Sequence, residues 1–176
     1  PMWSFVCVNS PYRDYSYAIM NEIADKYPGI ISFWLDEPMF HPKGCYCKWC
    51  QEEFRKSRGY ALPRDPNAPD EVWLEMNKFR MESMLRYFED FKKNVIAKHP
   101  NLTWTYNLTS GHGYANKRWA GKFLMNYLDL WESRALTTAG FNSSEVDGGY
   151  FEAVVHAKQL SKIGRPFEIT FGRDYV

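Results

Sequence analysis

Short apolar runs alternate along this chain with segments whose apolar residues recur at helical spacing. The runs, which are typical of strands buried in a sheet, occupy residues 3–9, 30–35, 102–108, 128–135 and 166–171. The segments with a period near 3.6, typical of helices, occupy residues 15–27, 48–57, 70–98, 117–126 and 150–163. Residues 140–149 are polar and contain glycine, which predicts a loop. The sequence therefore predicts strands that alternate with helices.

Strict alternation of strands and helices predicts an α/β fold with a parallel sheet. Two architectures compete, a doubly wound sheet and a (β/α)8 TIM barrel. No glycine-rich phosphate loop follows any predicted strand, which disfavours a nucleotide-binding doubly wound sheet. A complete barrel takes eight units and about 250 residues, whereas about five strands are predicted here. We therefore expect residues 1–176 to form a partial TIM-barrel catalytic domain, comprising middle to late βα units of a larger protein.

Polar side chains follow the predicted strands, at the ends where a barrel places its active site. Asp36 and Glu37 come directly after the apolar run at residues 30–35. Glycoside hydrolysis uses one carboxylate as nucleophile or base and one carboxylic acid as proton donor. We take Asp36 as the first catalytic candidate, Glu37 as its neighbour, and Glu132 or Glu145 as the second acid. The alternative is that Asp36 and Glu37 form a solvated or helix-capping pair.

Aromatic and polar residues close to the strand ends are candidates for binding a substrate. Aromatic residues make up 18% of the chain, and their rings offer platforms on which flat apolar ligand faces can stack. Amide, imidazole and guanidinium groups can hydrogen-bond sugar hydroxyls. The substrate-binding candidates are Trp34, Asn107, His112, Asn9 and Arg173. A loop histidine such as His112 can equally have no role.

Four cysteines, Cys7, Cys45, Cys47 and Cys50, give the sharpest chemical signal. The CxCxxC spacing puts three soft ligands within reach of one tetrahedral zinc ion, and Cys7 on an adjacent strand can supply the fourth. Four thiolates leave no open coordination position, so such a site is structural. His41 is a substitute ligand if Cys7 faces the core. The alternatives are a CxxC redox pair and unrelated reduced thiols.

Charge and hydropathy restrict the class of partner. The net charge is +1 and basic residues are scattered, so there is no electrostatic case for nucleic acid or an anionic membrane surface. No apolar run approaches the length of a membrane helix, and no signal peptide is visible. The acids and aromatic residues at the strand ends predict a carbohydrate partner. The localisation is unknown, and we favour the cytoplasm.

The segments CVNSPYR at residues 7–13 and CYCKWCQEEFR at residues 45–55 resemble the barrel of glycoside hydrolase family 42 β-galactosidases. An Ile- and Trp-rich strand that ends in an acid lies between them, and the resemblance is strongest over residues 5–55. It implies that the four cysteines bind zinc together. It also implies a homo-oligomer, for instance a trimer, assembled through segments outside residues 1–176.

The end of the acid-bearing strand differs from that family. The β-galactosidases end it with Asn-Glu, where the Glu donates a proton, whereas this chain reads DEP at residues 36–38. The WLD segment at residues 34–36 is more similar to α-L-fucosidases and fucosidase-like barrels. That resemblance implies that Asp36 is the nucleophile and that Glu132 or Glu145 is the acid/base.

Three functions follow as hypotheses. The first is a retaining, exo-acting glycoside hydrolase that cleaves a terminal α-L-fucoside or β-galactoside. The second is a non-catalytic carbohydrate-binding barrel that has lost an active-site acid, because Phe171 and Gly172 stand where the β-galactosidases carry their nucleophile. The third is a zinc- or thiol-dependent redox protein that uses Cys47 and Cys50.

Overall fold

A computed structural model describes residues 6–35, 45–64, 69–109, 142–146, 154, 157–158, 161–162 and 167–171. The helices are α1 (Tyr12–Lys26), α2 (Lys48–Arg58) and α3 (Asp70–Asn94), and a single 3-10 turn at Ile96–Lys98 follows α3. The strands are β1 (Ser32–Leu35), β2 (Thr103–Thr109), β3 (Asn142–Val146) and β4 (Phe167–Phe171). No helix in this described part of the chain is both long enough and apolar enough to cross a membrane.

The strands form one parallel sheet in the order β1-β2-β3-β4. Leu35 lies in register with Tyr106, and further along β2 Asn107 lies in register with Ser143 of β3. Because the strands are parallel and neighbours in sequence, every carboxyl end lies at the same edge of the sheet. This shared edge is where polar residues from different strands can meet.

The core lies between α3 and β2. The Phe88 ring stacks on the Tyr106 ring at a centroid distance of 4.7 Å, and the Phe91 ring meets Trp104 edge-on at 5.1 Å. All four side chains are at least 98% buried. Apolar residues of α3 recur at helical spacing, so one face of this 25-residue helix covers the sheet.

Helices α1 and α2 pack on the same layer. Tyr17 of α1 is buried, and its hydroxyl donates a hydrogen bond of 2.8 Å to the Tyr87 carbonyl of α3. Arg58 at the end of α2 forms ion pairs with Glu75 at 3.1 Å and Glu82 at 2.9 Å on α3. Gly59 then ends α2 in the left-handed conformation, with φ of 80°, which glycine adopts without steric cost.

Most of the predicted elements among the described residues are confirmed. The structure contains strands within the predicted ranges 30–35 and 166–171, and β2 begins and ends one residue later than the predicted range 102–108. The three predicted N-terminal helices are present, although α1 begins three residues earlier than predicted and α3 ends before its 3-10 turn. Residues 154, 157, 158 and 161 are helical, in agreement with the helix predicted at 150–163.

The strand predicted at residues 3–9 is wrong over residues 6–9. Instead of a strand, a turn closes there, in which the Ser10 backbone N–H and hydroxyl both donate to the Cys7 carbonyl, at 3.0 and 2.7 Å. Ser and Pro next to an apolar run stabilise this local alternative to sheet pairing.

The loop predicted at residues 140–149 is also wrong, because β3 occupies Asn142–Val146. β3 is polar in sequence, and pairing on both sides by β2 and β4 overrides its low strand propensity. The partner of β2 is thus the 142–146 segment. The strand predicted at 128–135 and the helix predicted at 117–126 lie outside the described residues.

Candidate metal centre

The structure brings all four cysteines into one cluster. Their sulfur atoms lie within 4.8 Å of one another, and the Cys7 sulfur lies 3.3 Å from that of Cys50 and 3.5 Å from that of Cys47. The cluster joins segments that are about 40 residues apart in sequence. The sequence-based grouping of these cysteines is therefore confirmed.

Local backbone structure positions each thiol. The Ser10 turn bends the chain around Cys7 immediately before α1. Cys47 is the residue before α2 and has an extended backbone, and its carbonyl accepts the Gln51 N–H at 3.0 Å. Cys50 lies one turn further along α2, so the CxxC spacing places both thiols at the start of the same helix.

Burial and mutual hydrogen bonding shift the pKa values of Cys7, Cys45 and Cys50 in different directions. The hydrogen bond from Cys50 lowers the pKa of Cys7 to about 5. Burial raises the pKa of Cys45 to about 11. The pKa of Cys50, which is fully buried, is raised first by its hydrogen bond with Cys7 and then by burial. A divalent cation bound by the cluster would favour several thiolates at once.

The cluster has the dimensions of a tetrahedral thiolate site. Zinc–sulfur bonds of about 2.3 Å place the sulfurs of such a site about 3.8 Å apart. The shortest distances, 3.3 and 3.5 Å, and the limit of 4.8 Å lie on either side of that value. The four thiols are free, and their separations exceed the disulfide bond length of about 2.05 Å. These residues can hold a metal ion with no fifth group. His41, the predicted substitute ligand, lies outside the described part of the chain.

A polar contact that the sequence did not reveal supports the cluster. The Asn9 side-chain amide donates to the Cys50 sulfur at 3.5 Å and to the Ser83 hydroxyl at 3.1 Å. Asn9 was predicted to bind substrate; its contacts in the structure are with the thiol cluster and α3. The sequence indicates only that Ser83 interrupts the apolar stripe predicted for α3, and it does not name the partner of this serine.

The predicted catalytic acids are described only in part. Asp36 and Glu37 directly follow Leu35, the last residue of β1, and lie outside the described residues, as does Glu132. Glu145 belongs to β3, where its Cα lies in register with Thr109 and Thr170. The assignments of Asp36, Glu37, Glu132 and Glu145 stay predictions.

The substrate-binding candidates divide in the same way. Trp34 lies on β1 with 45% of its surface exposed, in register with Thr105 of β2. Asn107 lies on β2 in register with Ser143. His112 and Arg173 fall outside the described ranges. β1 and β2 thus bring the Trp34 and Asn107 positions to adjacent strands, and their roles stay predictions.

Comparison with known proteins yields similarity in structure alone. No family model and no curated protein matches the chain. A β-galactosidase from Bacillus circulans sp. alkalophilus superposes with a TM-score of 0.61 and 17% identity over 90% of this chain and 28% of that chain. A β-galactosidase from Rahnella sp. R3 gives a TM-score of 0.52 and 16% identity over 94% and 34%. Gan42B, a GH42 β-galactosidase from G. stearothermophilus, gives 0.51 and 13% over 95% and 35%.

These similarities establish the fold class. The chain has an α/β fold similar to a segment of β-galactosidases, and it spans about a third of the length of those structures. The expected resemblance to the GH42 barrel is thereby supported at the level of fold. The expected resemblance to α-L-fucosidases has no support in these superpositions.

Proposed function

We propose that this chain is part of a (β/α)8 barrel of a retaining, exo-acting glycoside hydrolase. The observation that carries the proposal is the parallel sheet β1-β2-β3-β4, in a fold similar to β-galactosidases, with acidic residues at or beyond the carboxyl ends of two of its strands. Barrel enzymes place their chemistry at this edge. Residues 1–176 would then supply part of the active-site rim.

The register favours Asp36 and Glu145 as the catalytic pair. Asp36 follows Leu35, and Glu145 lies on β3, two strands away. Two strand spacings of about 4.8 Å, together with an offset of two residues along the strand, separate such positions by roughly 12 Å. Two acidic side chains can close that gap to the carboxyl separation of about 5 Å that retaining glycosidases use. Asp36 would act as the nucleophile and Glu145 as the acid/base, and Glu132 is the second candidate for the acid/base.

The cysteine cluster would have a structural role in this enzyme, with zinc as its metal. Zinc suits four thiolates at tetrahedral distances, and such a site has no open position for substrate. Cys7 would be joined to Cys45, Cys47 and Cys50 around the start of α2, and Cys45 follows the last residue of β1 by ten positions in sequence. The metal would thus fix the chain that immediately follows Asp36.

A terminal β-galactoside is the first substrate to test, because the structural neighbours are β-galactosidases. An α-L-fucoside is the second, on the resemblance of the WLD segment at residues 34–36 to fucosidases. The predicted homo-oligomer and the predicted lack of nucleic-acid or membrane partners stay predictions.

The test is turnover of nitrophenyl α- and β-glycosides by the full-length protein and by the variants Asp36→Asn, Glu145→Gln and Glu132→Gln. Glu89→Gln, on the exposed surface of α3, is the matched control. We expect hydrolysis of one glycoside, its loss in Asp36→Asn by at least about 10³-fold, and full activity in the control. Azide should restore turnover where the acid/base is missing. Unchanged activity in Asp36→Asn would contradict the proposal.

A non-catalytic carbohydrate-binding barrel is the second candidate. Phe171 ends β4, and Gly172 follows it, so no acid stands where the β-galactosidase family carries its nucleophile. Sugar binding measured by calorimetry, together with no turnover of any glycoside, would favour this candidate over the enzyme.

A further inference from the structure

A buried serine lies on the mainly apolar inner face of α3. Ser83 is 1% exposed. Its hydroxyl donates to the Phe79 carbonyl at 2.8 Å and accepts hydrogen bonds from Arg86 and Asn9, each at 3.1 Å. A serine hydroxyl has one proton and two acceptor sites. The Ser83 hydroxyl is therefore fully used by these three partners.

Because the Ser83 hydroxyl has no free proton, the NH₂ group of the Asn9 amide, and not its oxygen, faces Ser83 and the cysteine cluster. Because the only Ser83 proton is committed to Phe79, Ser83 can bond Asn9 only as an acceptor, and the NH₂ end of Asn9 must point towards it. The same NH₂ group lies 3.5 Å from the Cys50 sulfur. The opposite amide orientation would place two oxygens together with no proton between them, at a cost of about 1–3 kcal/mol for a buried unsatisfied group.

An N–H group next to the sulfur favours the form of Cys50 that binds a metal. A thiolate is an acceptor only, and a donor beside it stabilises its charge. Cys50 is fully buried, so water cannot supply that donor. Hydrogen bonds from the residues around metal ligands orient the ligands and strengthen metal binding.

We propose that Asn9 is a positioning residue for the Cys50 thiolate, and that Ser83 of α3 holds the Asn9 amide in the required orientation. The inference rests on the metal centre proposed above and adds to it a link to α3. This Cys50–Asn9–Ser83 relay makes the strength of metal binding depend on Ser83, a side chain of α3 that does not itself bond the cysteines.

The test measures the affinity of the full-length protein for Zn²⁺ by competition with a chromophoric chelator, and the absorption spectrum of its Co²⁺ form. The variants are Asn9→Ala, Asn9→Asp, Ser83→Ala and the double variant of Asn9→Ala with Ser83→Ala. Asn21→Ala is the control for loss of an amide on the same side of the fold, because Asn21 bonds only carbonyls and His99 among the described residues. Ser57→Ala is the control for a serine bonded back to its own helix.

We expect Asn9→Ala to weaken Zn²⁺ binding about 10- to 100-fold, and Asn9→Asp to weaken it at least as much, because its oxygen faces the sulfur. The sulfur-to-cobalt charge-transfer band should move to lower energy when the N–H donor is lost. Ser83→Ala should show the same two changes in a smaller degree, and the double variant should bind Zn²⁺ no more than about two-fold more weakly than Asn9→Ala. Both controls should keep the wild-type affinity and spectrum.

Several results would overturn the relay. Asn9→Ala or Asn9→Asp with wild-type Zn²⁺ affinity would remove the positioning role. If Asn9→Ala loses Zn²⁺ affinity but keeps the wild-type Co²⁺ spectrum, or if Asn21→Ala loses as much Zn²⁺ affinity, Asn9 only stabilises the fold. If an Asn9 variant does not fold, the Zn²⁺ affinity and the Co²⁺ spectrum of Ser83→Ala are judged by the same criteria. A wild-type protein that binds neither ion would overturn the metal centre itself, whereas tight wild-type binding that is unaffected by the variants overturns the relay alone.

Discussion

Phe88 occupies the centre of the interface between α3 and β2, and its truncation is the sharpest test of this packing. Its side chain is fully buried and its ring contacts Tyr106 at 4.7 Å and Trp104 at 5.7 Å. Phe88→Ala should cost about 3–5 kcal/mol of unfolding free energy through lost burial and the resulting cavity. The two ring pairs, each worth about 0.5–1.5 kcal/mol, place the expected value in the upper part of that range.

The assay is urea unfolding of the full-length protein, followed by circular dichroism at the helix band. With a slope of about 2 kcal/mol per M, a loss of about 4 kcal/mol lowers the urea midpoint by about 2 M. Phe88→Leu, which keeps most of the volume, should cost less than about 1.5 kcal/mol. Ile31→Ala, at a position that is 79% exposed, is the surface control and should change stability by less than about 0.5 kcal/mol. A loss below about 2 kcal/mol in Phe88→Ala would refute the packing.

Four further predictions concern the helices and the metal. Arg58→Ala removes both ion pairs between α2 and α3 and should cost about 1–2 kcal/mol in urea unfolding, less in 1 M salt; a loss that is independent of salt would contradict an electrostatic role. The hydrogen bond from Lys78 lowers the pKa of Glu75, so the Glu75 carboxylate stabilises the fold above its unfolded pKa of about 4.3, and this stabilisation is lost as the pH falls through the folded pKa. Glu75→Gln should therefore reduce the loss of unfolding free energy between neutral and acid pH in urea unfolding, and an unchanged acid dependence would contradict this. Gly59→Ala should cost about 1 kcal/mol from backbone strain alone, because an added Cβ meets no atom within 4 Å; a thermal melt equal to wild type would contradict it. Metal analysis of the purified protein should find about one zinc per chain, because one four-thiolate site holds one ion. Removal of this zinc by a chelator should lower the midpoint of thermal unfolding. A metal-free protein whose midpoint does not change after Zn²⁺ is added would contradict the structural role.

The pattern of apolar residues predicted those helices and strands that bury one face, because the buried face makes apolar residues recur at regular spacing. Helix α3 and strand β2 have strongly apolar inner faces, and both are found where the pattern places them. The sequence pattern did not predict β3, because β3 is polar and is a strand through its pairing with β2 and β4 rather than through the propensity of its own residues. Likewise, residues 6–9 have strand-like composition, yet the turn closed by Ser10 prevails.

The sequence predicted the site residues that are close together in sequence, and it missed the contact between residues that are far apart in sequence. The CxCxxC spacing was sufficient to group three thiols, and Cys7 was named as the fourth ligand from an expected neighbouring strand, where the structure has a turn. The link from Asn9 to Ser83 spans 74 residues, and no spacing rule connects the two. It becomes visible only when α3 is packed against the Ser10 turn, although an isolated serine in an apolar helix face indicates that a buried polar partner is required.

The most direct test of the proposed glycosidase mechanism is mass spectrometry of the full-length protein after incubation with 2-deoxy-2-fluoro glycosides of galactose and fucose that carry a good leaving group. A retaining enzyme forms a covalent glycosyl intermediate on its nucleophile, and the fluorine slows its hydrolysis. We expect one added sugar per chain, located by peptide mapping on Asp36 and absent in Asp36→Asn. A label on another carboxylate, or catalytic turnover without any trapped intermediate, would contradict Asp36 as the nucleophile.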